Sequence, residues 1–132
     1  MGSCLFCRIA DGEIPARVVH QDDHALAFLD ISPWHRGHTL VIPRRHVADA
    51  LADPAALAEI APAVVATGNL LLSRLGAEGM NVLSNVRAVA GQEVFHLHVH
   101  LVPRYAGDPG LGRLVARSAP DDLDAVLAQI TT

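Results

Sequence analysis

Apolar positions along the chain follow two different periods, and the change from one to the other marks out the elements. Residues 17–21 and 25–30 are short apolar, β-branched stretches on either side of Asp22-Asp23-His24, which predicts two adjacent strands joined by a tight turn. Residues 38–42 predict a third strand, bracketed by Pro33 and Gly37 before it and Pro43 after it. From Asp53-Pro54 the period lengthens. Leu57, Ile60, Val64, Leu71 and Leu75 recur at three- and four-residue steps with Gly68 on the same stripe, so a helix is expected, capped by Asp53 and closed by Gly76. Pro62 lies inside that pattern and predicts a kink or a helix in two pieces. Residues 79–84 read as a strand, 85–92 as a loop, and 94–102 as a strand ended by Pro103. The glycine-rich stretch 105–117 reads as loop, after which Pro120 opens a helix with Leu123, Val126, Leu127 and Ile130 on one side.

Five strands that hairpins or one long helix can connect make an antiparallel sheet with a helix on one face, an α+β architecture. The 132 residues suffice for one domain with a single core. With 51% apolar and 18% charged residues the chain is far from the disordered class. Its net charge of −4 argues against a nucleic-acid polymer as partner, because backbone binding needs a basic surplus. A small phosphorylated ligand stays open, since a few N–H groups and histidines can hold one phosphate without help from global charge. The first residues carry neither a signal-peptide core nor a membrane-spanning segment, so a cytoplasmic protein without membrane attachment is expected. The two cysteines, Cys4 and Cys7, are too close together to staple a secreted fold. Metal binding ranks above redox chemistry, which expects a strand before the motif and a helix opening at it in a thioredoxin-like unit, and above a pair of buried unpaired thiols.

The densest chemistry is His96-Leu97-His98-Val99-His100. In an extended strand these three imidazoles share one face while Leu97, Val99 and Leu101 share the other. Each ring brings a donor and an acceptor to satisfy, so three in alternation are costly for packing alone and point to chemistry. Two chemistries fit. Imidazoles at alternate positions can hold a catalytic metal with a further ligand from elsewhere. Alternatively, one neutral imidazole attacks phosphorus while its neighbours orient it and stabilise charge. Spacing does not choose between them.

The stretch from Gly91 to Arg104 resembles the signature of the histidine-triad (HIT) family, His-φ-His-φ-His-φ-φ with φ apolar. The likeness extends upstream through Phe6, Ile9, Gly12-Glu13-Ile14-Pro15, Phe28-Leu29-Asp30-Ile31-Ser32-Pro33 and Gly37-His38-Thr39-Leu40-Val41-Ile42-Pro43, in the family's order. It implies a HIT-like fold across a single domain, residues 1–132. It also implies a homodimer and attack by the middle histidine on the α-phosphorus of a nucleotide derivative. His98 holds that position, and water would then hydrolyse the nucleotidyl-histidine intermediate. His100 is implied in charge stabilisation at the phosphate or leaving group, Asn85 in the same shell, Gln92 as a nucleotide-binding residue that begins the loop bordering it, Asp30 at the ribose hydroxyls, and Phe6, Ile9 and Ile14 at the base. Some relatives complete a structural zinc site with the histidine after the Ile-Pro segment and the first triad histidine, which implies Cys4, Cys7, His46 and His96 here.

Two positions depart from the family pattern. Glu93 stands where many relatives have serine or threonine, and Arg87 and Val89 stand in a loop that is often glycine-rich. The ending Pro103-Arg104-Tyr105-Ala106-Gly107-Asp108 is more similar to the dinucleoside polyphosphate hydrolase branch than to the phosphoramidase branch. The expected activity is therefore hydrolysis of nucleoside phosphoramidates or dinucleoside polyphosphates. The alternatives are a nucleotidyltransferase or phosphorylase of the same family, a metallohydrolase using the strand histidines, and a non-catalytic nucleotide-binding module.

Overall fold

A computed structural model describes residues 4–108, 110–111 and 122–131. In chain order the elements are α1 (Leu5–Ala10), β1 (Val18–Gln21), β2 (Ala25–Leu29), β3 (Thr39–Pro43), α2 (Pro54–Leu75), β4 (Gly79–Leu83), β5 (Val99–Arg104) and α3 (Leu123–Thr131). The strands form one antiparallel sheet in the order β1-β2-β3-β5-β4. The α+β class with a long central helix and a C-terminal helix is the one expected. The short helix α1 was not expected, because six residues are too few to display a helical period.

Alternation in the strands divides the core into two layers. Ala25, Ala27, Val41, Leu97, Val99 and Leu101 pack with Ala56, Ile60, Ala63 and Leu71 of α2. Leu26, Phe28, Leu40 and Ile42 face the other way and pack with Phe6 of α1. Both faces of β2 and β3 are thus covered, which is why these strands read as continuous apolar runs. By length and composition α2 could cross a membrane, yet it lies across the sheet with Ala56, Ile60, Ala63, Thr67 and Leu71 buried.

Several local expectations need correction. Pro62 neither breaks nor divides α2, which runs for 22 residues. Pro62 and Ala58 are both exposed, so the carbonyl that loses its helical donor faces water. The buried stripe of α2 lies one position away from Leu57, which is 43% exposed. Strand β5 begins at Val99 rather than at residue 94 and runs through Pro103 rather than stopping there. The register pairs Val41 with Val99, and beyond it Pro43 has no N–H to extend the ladder. The amide of Leu97 bonds instead to the Val47 carbonyl at 2.6 Å, in the segment that carries His46. At the other end β5 pairs with β3 only as far as Leu101, so Pro103 sits where one side of the strand is already free and pairs only with Met80 of β4. Helix α3 carries Leu123, Val126, Leu127 and Ile130, all exposed; Pro120 lies outside the described residues.

Candidate active site and metal centre

Although only His100 lies within a hydrogen-bonded strand, the alternation holds along the whole histidine run. Leu97, Val99 and Leu101 enter the core against α2, while His96, His98 and His100 lie buried on the opposite side. The three rings then have different surroundings.

His96 belongs to a cluster with Cys4, Cys7 and His46, in which one ligating atom from each residue lies within 4.8 Å of all the others. The His96 Nδ1 is 3.4 Å from Cys4 Sγ and 3.5 Å from Cys7 Sγ, and His46 Nδ1 is 3.3 Å from Cys7 Sγ. A tetrahedral zinc with ordinary bond lengths separates sulfur and nitrogen ligands by roughly 3.5 Å, so the donors fit such an ion. The tautomer fits as well. The His96 Nε2 donates to the Pro43 carbonyl at 2.9 Å, which leaves the Nδ1 lone pair facing the sulfurs. The Cys7 thiol is pushed up to about 11, first by burial and then by the neighbouring Cys4, an opposition to ionisation that a bound cation would offset. Contrary to expectation, a helix does open at the motif. The Cys4 sulfur caps α1 by accepting the Cys7 N–H at 3.3 Å. The convergence of two imidazoles, rather than the lack of a helix, is what favours metal over dithiol chemistry.

His98 is held by its own strand. Its Nδ1–H donates to the His96 carbonyl at 2.8 Å, which leaves Nε2 with a lone pair and without a hydrogen-bond partner among the described residues. The His98 carbonyl accepts from the Ser84 hydroxyl at 2.7 Å, and the ring of Phe6 meets the His98 ring edge-on, centroids 5.1 Å apart. His100 belongs to a chain of donors that the sequence did not disclose. The Trp34 N–H donates to His38 Nδ1 at 3.1 Å, so neutral His38 carries its proton on Nε2 and donates it to His100 Nδ1 at 2.9 Å. His100 must then carry its own proton on Nε2. Burial, reinforced by His98 and His38, holds the His100 pKa at about 4, and burial lowers that of His38. The Trp34 indole lies parallel to the His100 ring, centroids 4.8 Å apart. In the sequence His38 has a place in a strand and in the family-like stretch but no chemical role. Its role depends on the β3–β5 pairing, which sequence spacing does not disclose.

His98 and His100 line a cavity of about 480 Å³. Phe6, Ile9, Ile14 and Phe28 give the cavity apolar lining, and Asp30 borders it as well. One Asp30 oxygen accepts the Ser32 N–H at 2.8 Å; the other is 3.8 Å from His38 Nε2. Glu93 and Gly91 also border the cavity. Asn85 and Gln92 do not. A Cβ on Gly91 would touch the Asn85 amide at 3.4 Å, which places Asn85 behind that glycine. The Gln92 side chain is turned inward, accepting from the Arg87 N–H and donating to the Ala48 and Val94 carbonyls. It shapes the loop from outside the cavity lining.

The HIT domain model matches residues 11–107. The chain belongs to the HIT family. It is 46% identical over 131 residues to an uncharacterised HIT-like protein of Methanocaldococcus jannaschii, covering 96% of this chain and 98% of that one. It is 40% identical over 112 residues to the adenosine 5′-monophosphoramidase of Schizosaccharomyces pombe, covering 83% and 80%. Among solved structures, a Streptococcus mutans protein superposes with a TM-score of 0.88 at 42% identity, covering 98% of this HIT chain and 84% of that one.

Proposed function

We propose that this HIT protein is a nucleotide hydrolase that works at the α-phosphate of nucleoside phosphoramidates or dinucleoside polyphosphates through a nucleotidyl-histidine intermediate. One observation carries the reading. His98 is a buried, cavity-lining imidazole with Nδ1 tied to a carbonyl and Nε2 free as the nucleophile. In this reading Nε2 forms the bond to phosphorus as the bond to the leaving group breaks, and His100 Nε2–H stabilises the charge that develops there. Asp30 accepts the ribose hydroxyls and the Phe6, Ile9 and Ile14 wall takes the base. The kinship with a monophosphoramidase supports the choice of substrate class.

The Cys4, Cys7, His46 and His96 cluster is read as a structural zinc site, because four protein ligands leave no position open for a reacting water. A homodimer is supported by the exposed apolar residues Val65 on α2 and Val82 on the edge strand β4. A metallohydrolase holding one ion on all three strand histidines is disfavoured. Their donors fall into separate clusters, His96 with the cysteines and His100 with Asp30 and His38, and neither cluster includes His98. The test is turnover by His98→Ala. Activity should vanish while folding and nucleotide binding persist, and substantial residual turnover would overturn the nucleophile assignment.

A further inference from the structure

Arg87 is the only non-glycine with positive φ among the described residues, at φ 73° and ψ 159°. That region of backbone space is comfortable only for glycine. A buried side chain holds the strained residue in place. Gln92, 4% exposed, accepts the Arg87 N–H at 2.7 Å while its amide donates to the carbonyls of Ala48 and Val94. The Arg87 carbonyl accepts from the amides of Ala90 and Gln92. The residue itself is exposed, and its guanidinium makes no ion pair or hydrogen bond among the described residues.

The loop that carries this strain reaches the cavity, since Gly91 and Glu93 share its lining with His98 and His100, and Arg87 stands exposed on the same loop just outside that lining. Between Ser84 and Phe95 the charged residues are Arg87 and Glu93 alone. Burial disfavours the charged form of His100. A leaving group long enough to extend from the cavity past this loop would meet the Glu93 carboxylate in the lining and one permanent cation, Arg87, outside it.

We infer that Arg87 determines leaving-group specificity. Its guanidinium receives the phosphates beyond the α-phosphate and selects oligophosphate leaving groups over amines. The inference rests on the reading that His98 attacks the α-phosphorus. In that step the His98 Nε2–P bond forms, the bond from α-phosphorus to the bridging oxygen breaks, and the electron pair leaves on the terminal oxygen of a nucleoside oligophosphate. Arg87 binds that product without transferring a proton.

The test uses the full-length protein with diadenosine tetraphosphate and adenosine 5′-phosphoramidate as paired substrates. Arg87→Gly removes the strain and the charge together. The melting temperature should rise by a few degrees, while the kcat/KM ratio of tetraphosphate to phosphoramidate should fall by at least roughly tenfold, the loss of one charge-assisted hydrogen bond. Arg87→Lys keeps a cation in the same backbone and should retain most of that ratio. An Arg87→Gly protein with a higher melting temperature and an unchanged ratio would overturn the inference. A binding comparison separates it from the His98 reading. Arg87→Gly should weaken a non-hydrolysable methylene-bridged tetraphosphate analogue but not AMP, and this selective loss in a protein that hydrolyses neither substrate would reject His98 while upholding Arg87. Equal affinity of both proteins for the analogue would reject Arg87.

Discussion

Two neighbouring clusters on one short run of chain use the same side chain for different ends. At His96 the outer nitrogen is tied to the Pro43 carbonyl, so the lone pair of the inner one faces two sulfurs and a second imidazole. At His98 the inner nitrogen is tied to the His96 carbonyl, so the lone pair is left at the ring's outer nitrogen, in a ring that borders the cavity. At His100 the inner nitrogen accepts from His38, and the outer one is left as a donor. What each ring can do is set by which of its nitrogens the backbone or a neighbour already holds. One cluster gathers lone pairs around a point. The other leaves an acceptor and a donor side by side at a cavity.

This contrast breaks most sharply on paired substitutions. His98→Ala should lower turnover by roughly 10⁴-fold or more while metal content, measured by elemental analysis, stays as in the parent. His96→Ala should release the metal, and should also disturb turnover because the backbone that orients His98 is no longer anchored. Loss of metal in His98→Ala would mean that the two clusters are one site. The next largest effect is on stability. Replacing Cys4 and Cys7 together by serine should abolish zinc binding and lower the melting temperature by about 10 °C, yet leave measurable catalysis. Full metal retention in that double variant would remove the proposed centre from the account.

A smaller change is expected at the sugar. Asp30→Ala should reduce the preference for ribose over deoxyribose nucleotides by about tenfold, read by calorimetric titration, because the acceptor of the sugar hydroxyls is lost. Equal effects on both sugars would make Asp30 a loop-fixing residue through its bond to the Ser32 amide.

The smallest effect is on acid stability. His100 titrates at about 4 when folded against its ordinary 6.5, so as pH falls the unfolded chain takes up the proton first. The stability that comes from keeping His100 neutral is complete above 6.5 and is lost progressively toward 4. In metal-free protein the melting temperature should therefore drop by a few degrees across that interval, and His100→Asn should flatten the slope. An unaltered slope in that variant would assign the acid sensitivity to other buried groups.

Much of this was legible in the sequence because it follows from periods and from residue types with one strong preference. Asp53 and Gly76 bound α2 where their capping chemistry places them, and Leu97, Val99 and Leu101 divide from the histidines as a two-residue period requires. The misreadings at Pro62 and Pro103 share one cause. Proline disrupts only where its missing N–H would have been needed, and whether it is needed depends on tertiary surroundings that a local pattern does not contain. His38 and Trp34 were passed over for a related reason, since their bearing on His100 arises from strand register and ring stacking. Gln92, expected at the nucleotide as the first residue of the bordering loop, uses its amide to close three backbone bonds, a use of polar side chains that spacing cannot reveal.

The central claim, that His98 is the nucleophile, is tested most directly by brief incubation with adenosine 5′-phosphoramidate, acid quenching under conditions that preserve phosphoramidates, and mass spectrometry of the intact and digested protein. The account predicts one added adenylyl group, mapped to His98 and absent from His98→Ala. Turnover without any covalent adduct, or an adduct on His96 or His100, would contradict it.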